Sequence, residues 1–306
     1  MSVANPPVVN IASLTDSRTL RTLDNACRTW GIFQVVGHGM DKWVTKNLMR
    51  AMQDFFNLPT AAKHSVIRTE KNHWGYYDKE LTKNRLDCKE IYDYGQSFGD
   101  SLQSQLPSDP PNFEQALKAY FALCEQLSFN LLDAIGANLG LPTKHLHTYF
   151  QPLHSSFLRL NYYPLAAKQT EQSLGIHPHT DAGAITILLQ DGRAGLEVQV
   201  DDDWQLIEPL DDAVLVNLGD IVQVWSNDRY RAPLHRVLAS RDQVRYSAPF
   251  FFNPHFDAVY EPLATTVDSN NPPKYRPIHW QQFRQARAQG DYDNYGHEIQ
   301  IQDFRI

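Results

Sequence analysis

The chain has 306 residues, of which 42% are hydrophobic and 21% charged, and its formal net charge is −7. The acidic balance and the lack of a Lys/Arg run argue against nucleic acid or a membrane surface as partner. Three widely spaced cysteines (Cys27, Cys88 and Cys124) favour a reducing, cytoplasmic compartment. The N-terminus has neither the basic nor the apolar region of a signal peptide, and no apolar run is long enough for a transmembrane helix.

The first half of the chain is predicted to be mainly helical. Apolar residues recur there every three or four positions, as on the buried face of a helix. The longest such stripe, at 112–139, is expected to brace the rest of the fold. The predicted elements are strands at 8–11 and 32–36 and helices at 17–30, 42–56, 112–139 and 142–150.

Residues 70–110 are polar, irregular and interspersed with aromatic side chains. A long loop of this composition is often functional. Tyr76 and Tyr92 are therefore candidates for lining a substrate pocket. The alternative is that both tyrosines pack the loop against the core.

From Ser156 the pattern changes to short β-strands separated by turn residues, which is typical of a sandwich or jelly roll. We expect a mainly β protein with flanking helices, its core a double-stranded β-helix preceded by a helical N-terminal region. No repeat or low-complexity linker divides the chain, which predicts one domain at 1–306. Within it we distinguish a scaffold with substrate loops at 1–155, a jelly-roll core at 156–255, and a C-terminal helix and tail at 256–306. The predicted strands are 157–163, 184–190, 195–200, 204–208, 213–218, 221–225, 234–238 and 244–252, followed by a helix at 278–288.

The stretch Gly175–Gly183 carries the clearest chemical pattern. His179 and Asp181 are two residues apart, so in an extended strand both point to one face. With His235 they would form a two-His, one-carboxylate set with open positions, as in non-haem Fe(II) oxygenases. His177 shares the same face, and a set of His177, His179 and His235 would instead suggest a cupin-like or zinc site.

Arg245 and Ser247 show the same two-residue spacing on an apolar run. A guanidinium beside a hydroxyl in a barrel interior is suited to a carboxylate ligand, and burial of the charge without a partner would be costly. The alternative is that Arg245 pairs with an internal Asp or Glu.

Together these motifs resemble the plant-type, isopenicillin N synthase-like family of 2-oxoglutarate/Fe(II) dioxygenases. The resemblance runs from about Val8 to about Pro254 and is far more specific than the His-x-Asp pattern alone. The similar segments are Trp30–Gly39, Asn161–Pro164, His179–Asp181, Val216–Asp220, Ser226–Val237 and Arg245–Ser247.

The resemblance implies Fe(II) as metal, 2-oxoglutarate as co-substrate and O2 as oxidant. His179, Asp181 and His235 would bind the iron. Arg245 and Ser247 would hold the distal carboxylate of 2-oxoglutarate, with Asn161 and Tyr163 also in contact with it. The expected reaction is hydroxylation or desaturation of a small organic substrate with release of succinate and CO2.

Three further residues continue the same strand faces and are candidates for contact with the primary substrate: Arg159, Phe251 and Asn253. An arginine at the pocket suggests an acidic or phenolic group on the substrate. The alternative for Arg159 is a salt bridge across the mouth of the barrel. We expect a monomer or homodimer.

Three other functions remain open from the residues. One is a 2-oxoglutarate-independent Fe(II) oxidase of the same family, in which the Arg-x-Ser pair serves another carboxylate. A second is a non-catalytic jelly-roll binding protein, which an intact metal triad argues against. The third is a zinc hydrolase, which would leave Arg245 and Ser247 without a role.

Overall fold

The computed structural model describes residues 5–69, 71–95, 103–165, 174–290 and 296–306. Its strands are β1 (Val8–Asn10), β2 (Ile32–Val36), β3 (Gly75–Tyr77), β4 (Leu81–Thr82), β5 (Arg85–Leu86), β6 (Glu90–Gly95), β7 (Phe157–Tyr163), β8 (Leu174–His179), β9 (Ile185–Gln190), β10 (Leu196–Val200), β11 (Asp203–Leu206), β12 (Val214–Leu218), β13 (His235–Leu238), β14 (Arg245–Phe252), β15 (Val259–Tyr260) and β16 (Ile278–His279). Its α-helices are α1 (Ser17–Thr29), α2 (Lys42–Phe56), α3 (Thr60–His64), α4 (Phe113–Asn138), α5 (Asp220–Trp225) and α6 (Trp280–Gly290).

Two largely antiparallel sheets form the centre of the molecule. The larger has the strand order β1-β2-β12-β9-β14-β7-β6-β3, and the smaller has the order β11-β10-β13-β8. Buried side chains from both sheets, among them Tyr163, Leu188, Val198 and Val237, pack into one cluster. The sheets therefore face each other, which confirms the predicted mainly β jelly-roll architecture.

A second, larger hydrophobic cluster holds the helices against the outer face of the large sheet. It joins Leu23 of α1, Phe55 of α2 and Leu131 of α4 to Phe252 of β14 and Trp280 of α6. The long helix α4 lies in this cluster, as its apolar stripe predicts. Residues from all three predicted segments share this core. The single-domain organisation stays a prediction, and the shared core supports it.

Two predictions of local structure are wrong. Residues 221–225, predicted as a strand, form helix α5, which follows an extended Gly219. Every residue of α5 is buried, and a short, largely apolar run does not distinguish a buried strand from a buried helix. The predicted helix at 142–150 is a 3₁₀-helix at His145–Phe150.

The segment 70–110 is also more ordered than predicted. Within the described part of that segment, β3 and β6 pair with each other, and β6 pairs with β7 at the edge of the large sheet. The two strands thus extend the sheet that carries Arg159, Asn161 and Tyr163. Strands β3 and β6 are therefore part of the wall of the barrel rather than of an irregular loop.

Among the described residues, no helix has the length and apolar character needed to cross a membrane. All three cysteines are free thiols, and Cys27 and Cys124 are fully buried in the core.

Candidate active site

Two strands of the small sheet bring three metal-ligating side chains together. His179 ends β8 and His235 begins β13, and the two histidines are directly paired across these strands. Asp181 follows two residues after His179. The local i, i+2 spacing and one cross-strand register therefore place all three side chains at one point, as the sequence predicts.

The three side chains have the geometry of a metal site. The Oδ1 atom of Asp181 lies 3.7 Å from the Nε2 atom of His179 and 3.7 Å from that of His235. One ligand atom from each residue lies within 4.8 Å of the others, the only such group of three or more His, Cys, Asp or Glu within the described residues. Two imidazole nitrogens and one carboxylate oxygen that leave further positions open are the ligand set of a non-haem Fe(II) centre.

Hydrogen bonds orient both imidazoles toward the same point. The Nδ1–H group of His179 donates to the carbonyl oxygen of His177 at 2.8 Å, and that of His235 donates to the carbonyl of Pro233 at 3.0 Å. Since a carbonyl only accepts, each Nδ1 carries the proton and each Nε2 is left with its lone pair for a metal.

The charges at the site also favour metal binding. Burial, together with the neighbouring His235, lowers the pKa of His179 to about 3. Burial alone would raise the pKa of Asp181, but His235 and His179 and hydrogen bonds from Thr186 and Asn217 lower it below its usual value. An unprotonated imidazole beside an ionised carboxylate is the state in which both residues bind a cation.

Asp181 is held by two residues that sequence reasoning did not assign. Thr186 Oγ1 and Asn217 Nδ2 each donate to Asp181 Oδ2 at 2.5 Å, so Oδ1 is the oxygen that faces the histidines. Both donors are buried polar residues within apolar strands, β9 and β12. A buried amide within a run such as Val-Leu-Val-Asn-Leu needs a partner, and this was the signal that could have identified Asn217.

His177 does not join the metal cluster. Its Nδ1 atom lies 2.9 Å from Oδ1 of Asp87, and its backbone N–H donates to the same oxygen at 3.1 Å. The residue is buried, with 7% of its surface exposed. The alternative ligand set of His177, His179 and His235 is therefore not assembled.

Arg245 lies in the same cavity as the three metal-ligating residues and is 2% exposed. Its Nη2 donates to Gln190 Oε1 at 2.9 Å and its Nε to the carbonyl of Arg193 at 3.2 Å. Its Nη1 is buried without a hydrogen-bond partner among the described residues. Gly195 packs closely beside it, since a Cβ atom at that position would lie 3.1 Å from Arg245 Cδ.

Three further predicted residues surround the Arg245 guanidinium. The ring of Tyr163 stacks at 5.0 Å from the guanidinium carbon. Ser247 and Asn161 are directly paired across β14 and β7, and both line the cavity with Tyr163. The Ser247 Oγ atom lies 3.4 Å from Asn161 Nδ2 and 3.5 Å from the Tyr163 hydroxyl. A guanidinium with an unused N–H beside hydroxyl groups suits a carboxylate, so the residues present fit the distal end of 2-oxoglutarate.

The predicted substrate residues Arg159, Phe251 and Asn253 also line this cavity. Phe251 stacks on Phe157 with ring centroids 4.7 Å apart. Arg159 precedes Tyr163 by four residues on β7, which places the two about 13 Å apart along the strand. Tyr163 and Arg245 lie toward one end of the cavity and Arg159 toward the other, while Phe251 is paired with Thr186, which binds Asp181. We call the part that holds the three metal-ligating residues and Arg245 the metal end, and the part around Arg159 the distal end.

Arg159 is part of a buried ionic network rather than an isolated cation. It binds Asp93 through Nε at 2.7 Å and Nη2 at 2.8 Å, and Glu80 through Nη1 at 2.8 Å. Two further cations extend this network: Lys89 pairs with Glu80 and with Asp87, and Arg68 pairs with Glu80 and Asp93. The alternative of a salt bridge at the barrel mouth thus describes the observed contacts, although Arg159 still faces the cavity.

Tyr76 and Tyr92 do not reach the cavity, which corrects their prediction as lining residues. Both are buried in the core, where Tyr92 packs on Phe55 and Phe113 and Tyr76 donates its hydroxyl hydrogen to Glu90 at 2.8 Å. They alternate with residues that face inward: β6 pairs Tyr92 with Leu160, whereas Asp93 pairs with Arg159. The tyrosines are therefore on the helix-covered face of the large sheet.

The C-terminal helix supplies two arginines that sequence reasoning missed. Arg284 and Arg287 of α6 line the cavity, and the Arg284 guanidinium lies 5.6 Å from the Phe157 ring centre. Arg287 donates to the carbonyl of Thr180, between the two metal-ligand positions, at 3.2 Å. It also contacts Glu298 at 3.1 Å. Neither residue carries a local sequence signal, since α6 is polar on most of its surface.

Two family models match the chain. Residues 154–254 match the 2OG-Fe(II) oxygenase superfamily, and residues 6–115 match the N-terminal region of non-haem dioxygenases in morphine synthesis. The first match spans the strands that carry the candidate metal site and Arg245.

Curated relatives and solved structures agree with these matches. The chain is 32% identical to jasmonate-induced oxygenase 2 of Arabidopsis thaliana, over 94% of this chain and 81% of that protein. It is 31% identical to gibberellin 20 oxidase 1-A of Triticum aestivum, over 90% and 78%. A crystal structure of JOX2 with 2OG, Fe and JA is 32% identical and superposes with a TM-score of 0.84 over 92% of this chain and 84% of that one. The rice dioxygenase for auxin oxidation, at 23% identity, shares the fold, with a TM-score of 0.78 over 98% of this chain and 99% of that one.

The chain therefore belongs to the 2OG-Fe(II) oxygenase superfamily. It is a 2-oxoglutarate- and Fe(II)-dependent oxygenase that uses O2 and acts on a small-molecule substrate. This confirms the function and cofactors that the motifs imply, over the 2-oxoglutarate-independent oxidase, the binding protein and the zinc hydrolase.

Proposed function

We propose that His179, Asp181 and His235 bind the catalytic Fe(II), and that the two histidines do so through Nε2. The observation that carries this assignment is the convergence of three ligand atoms, each of which is oriented by a hydrogen bond to its other polar atom. The bound iron would supply the activation of O2 that couples oxidative decarboxylation of 2-oxoglutarate to oxidation of the substrate.

The protein's contribution is to position both organic molecules and to keep water out. Arg245 holds the distal carboxylate of 2-oxoglutarate through its uncommitted Nη1, while Gln190 and the Arg193 carbonyl fix the plane of the guanidinium. Ser247 adds a hydroxyl donor, and Tyr163 and Asn161 form the adjacent wall. Each charge-assisted hydrogen bond of this kind contributes about 1.5–3 kcal/mol.

Anaerobic titration with Fe(II) and then 2-oxoglutarate, followed by visible absorption, tests this assignment. A keto acid bound to Fe(II) through two oxygens gives a weak charge-transfer band. We expect the band in the natural protein, and its loss in Arg245→Ala at the same ligand concentration, because a loss of about 1.4 kcal/mol or more weakens 2-oxoglutarate binding at least tenfold. Arg241→Ala, at an exposed position near β14, is the matched control and should retain the band. An unchanged 2-oxoglutarate requirement in Arg245→Ala would contradict the assigned role.

We further propose that the primary substrate is a small organic acid, oxidised by hydroxylation or desaturation. Three guanidinium groups support this proposal, since Arg159, Arg284 and Arg287 all line the cavity. The apolar rings of Phe157 and Phe251 lie beside them and would cover the hydrocarbon part of such a molecule. Jasmonate, bound by the related JOX2, is a carboxylic acid and is the first compound to test.

Succinate release in the presence of individual carboxylic acids tests this substrate class. We expect jasmonate or a related acid to stimulate succinate formation and to be oxidised, whereas its methyl ester should be a poorer substrate. If neutral compounds are turned over as well as their acids, the acidic group is not recognised. A cytoplasmic location, supported by three free thiols, and a monomeric or homodimeric state complete the proposal.

A further inference from the structure

Asp87 occupies a position that the proposed iron chemistry does not explain. Its side chain has no exposed surface, and it lies in the segment between β5 and β6, about 90 residues before the metal strand in the sequence. It is not one of the three candidate ligands. A fully buried carboxylate is costly unless its oxygens are used, so its contacts indicate what this residue does.

All four groups around Asp87 donate hydrogen bonds to it. Oδ1 accepts from the backbone N–H of His177 at 3.1 Å and from its Nδ1–H at 2.9 Å. Oδ2 accepts from Thr82 Oγ1 at 2.7 Å and lies 3.1 Å from Lys89 Nζ. Only a carboxylate accepts from four donors at once, because an amide would turn its NH2 group toward one of them.

These contacts act on the metal strand β8 at two points. Asp87 accepts hydrogen bonds from both the main chain and the ring of His177. The N–H group of the neighbouring Cys88 donates to the carbonyl of Leu174 at 3.0 Å. The carbonyl of the same His177 accepts the Nδ1–H of His179. The buried carboxylate therefore holds the residue whose carbonyl accepts the Nδ1–H of the candidate metal ligand.

We propose that Asp87 is a positioning residue for the metal centre, acting through His177 to orient the Nε2 atom of His179. The inference rests on the proposed iron site. Lys89 belongs to the same arrangement because it joins Asp87 to Glu80, and Glu80 binds Arg159. The N-terminal wall of the barrel thus contributes to metal binding although it contains no ligand. Loss of an outer group that orients a metal-binding histidine weakens metal affinity by about 10–100-fold.

Co(II) is a suitable probe, because its visible absorption reports both affinity and ligand geometry at a nitrogen and oxygen site. We expect Asp87→Asn to bind Co(II) 10–100-fold more weakly and to give a changed visible band at saturation. Asp93→Asn is the matched control. Asp93 is a buried carboxylate of the same ionic network, pairs with Arg68 and Arg159, and contacts neither His177 nor β8 through its carboxylate. The Asp93→Asn variant should bind Co(II) with nearly the affinity of the natural protein and should give an unchanged visible band.

A second variant keeps the test decisive if Asp87→Asn does not fold. His177→Ala retains the pair of Asp87 with Lys89 and the peptide N–H, but removes the imidazole from Asp87. We expect a smaller loss of affinity in the same direction. Natural Co(II) affinity in both variants, or equal losses in Asp87→Asn and Asp93→Asn, would overturn the inference. Failure of the iron site itself is distinguishable, because the natural protein would then bind Co(II) no more tightly than His179→Ala.

Discussion

The two ends of the cavity differ in whether their polar side chains are already bonded to other residues of the protein. At the metal end, each functional side chain has one polar atom fixed by the protein and another left for a ligand: Nε2 of the two histidines, Oδ1 of Asp181 and Nη1 of Arg245. At the distal end, Arg159 is already bound to the carboxylates of Glu80 and Asp93. The metal end is therefore prepared for an ion and an anion, whereas the distal end carries charges that also hold the barrel wall together.

Substitutions at the two ends are therefore expected to have different consequences. A change at the metal end removes a contact to a ligand and leaves most of the protein's own contacts in place. A change at the distal end removes a substrate contact and a buried ion pair together, and breaking a buried pair typically costs about 3–5 kcal/mol of stability. Kinetic effects at the distal end must therefore be separated from effects on folding.

The largest effect is expected from Asp181→Ala, which removes the only anionic ligand of the proposed iron site. Metal affinity should fall by more than about a hundredfold, beyond the usual effect of an outer-shell change, and turnover should be lost. Equilibrium dialysis with Fe(II) under anaerobic conditions measures the affinity. Thr186→Val is the matched control, because it removes one hydrogen bond to Asp181 Oδ2 and keeps the carboxylate. Equal metal affinity in Asp181→Ala and the natural protein would show that the iron is bound elsewhere.

The same contrast explains which parts of the site could be predicted from the sequence. His179 with Asp181, and Arg245 with Ser247, depend on a two-residue spacing within one strand, which the sequence displays directly. Arg159 with Asp93 depends on the pairing of β7 with β6, strands separated by more than sixty residues. Because residues 70–110 were predicted as a loop, β6 was not expected in the barrel. The carboxylates that bind Arg159 were therefore not predicted either.

The misplaced tyrosines have a related cause. Tyr92 and Asp93 are neighbours in a strand, so they point to opposite faces, and the face that each occupies follows only from the register with β7. An aromatic residue is a natural candidate for a pocket and an acidic one is not. In this barrel the tyrosine is in the core, and the aspartate lies inside because Arg159 and Arg68 neutralise it.

An intermediate effect on catalysis is expected from Arg159→Lys. This substitution keeps the positive charge but not the bidentate contact with Asp93. The KM for an acidic substrate should rise about tenfold, equivalent to the loss of roughly one charge-assisted hydrogen bond. The KM for 2-oxoglutarate should be unchanged, because its proposed site is at the other end of the cavity. A thermal unfolding curve of the same variant measures the accompanying loss of stability. Parallel increases in both KM values would indicate a general distortion of the barrel and contradict a specific substrate role.

The smallest effect on catalysis is expected from a substitution of Arg287, whose contacts connect the two ends of the cavity. Its guanidinium donates to the Thr180 carbonyl beside the metal ligands and to Gln300 of the C-terminal segment, and it pairs with Glu298. The same segment reaches the β4–β5 turn, where Glu298 accepts from the Lys83 N–H and Asn84 donates to the Gly296 carbonyl. Leu81, Thr82 and Glu298 line the cavity, so these contacts hold part of its cover in place.

Arg287→Lys keeps a positive charge near Asp220, whose Oδ2 atom lies 3.8 Å from Arg287 Nη1. The lysine side chain cannot reach all of these partners at once. Water should then enter the site more readily, so less product forms for each 2-oxoglutarate consumed, while the 2-oxoglutarate KM changes little. The ratio of oxidised substrate to succinate measures this coupling. Arg276→Lys is the matched control, because Arg276 also binds the C-terminal segment, through the Asp303 carbonyl and the Phe304 ring, but does not line the cavity. Loss of coupling in both variants would assign the effect to the segment as a whole, and loss in neither would show that Arg287 does not join the two ends of the site.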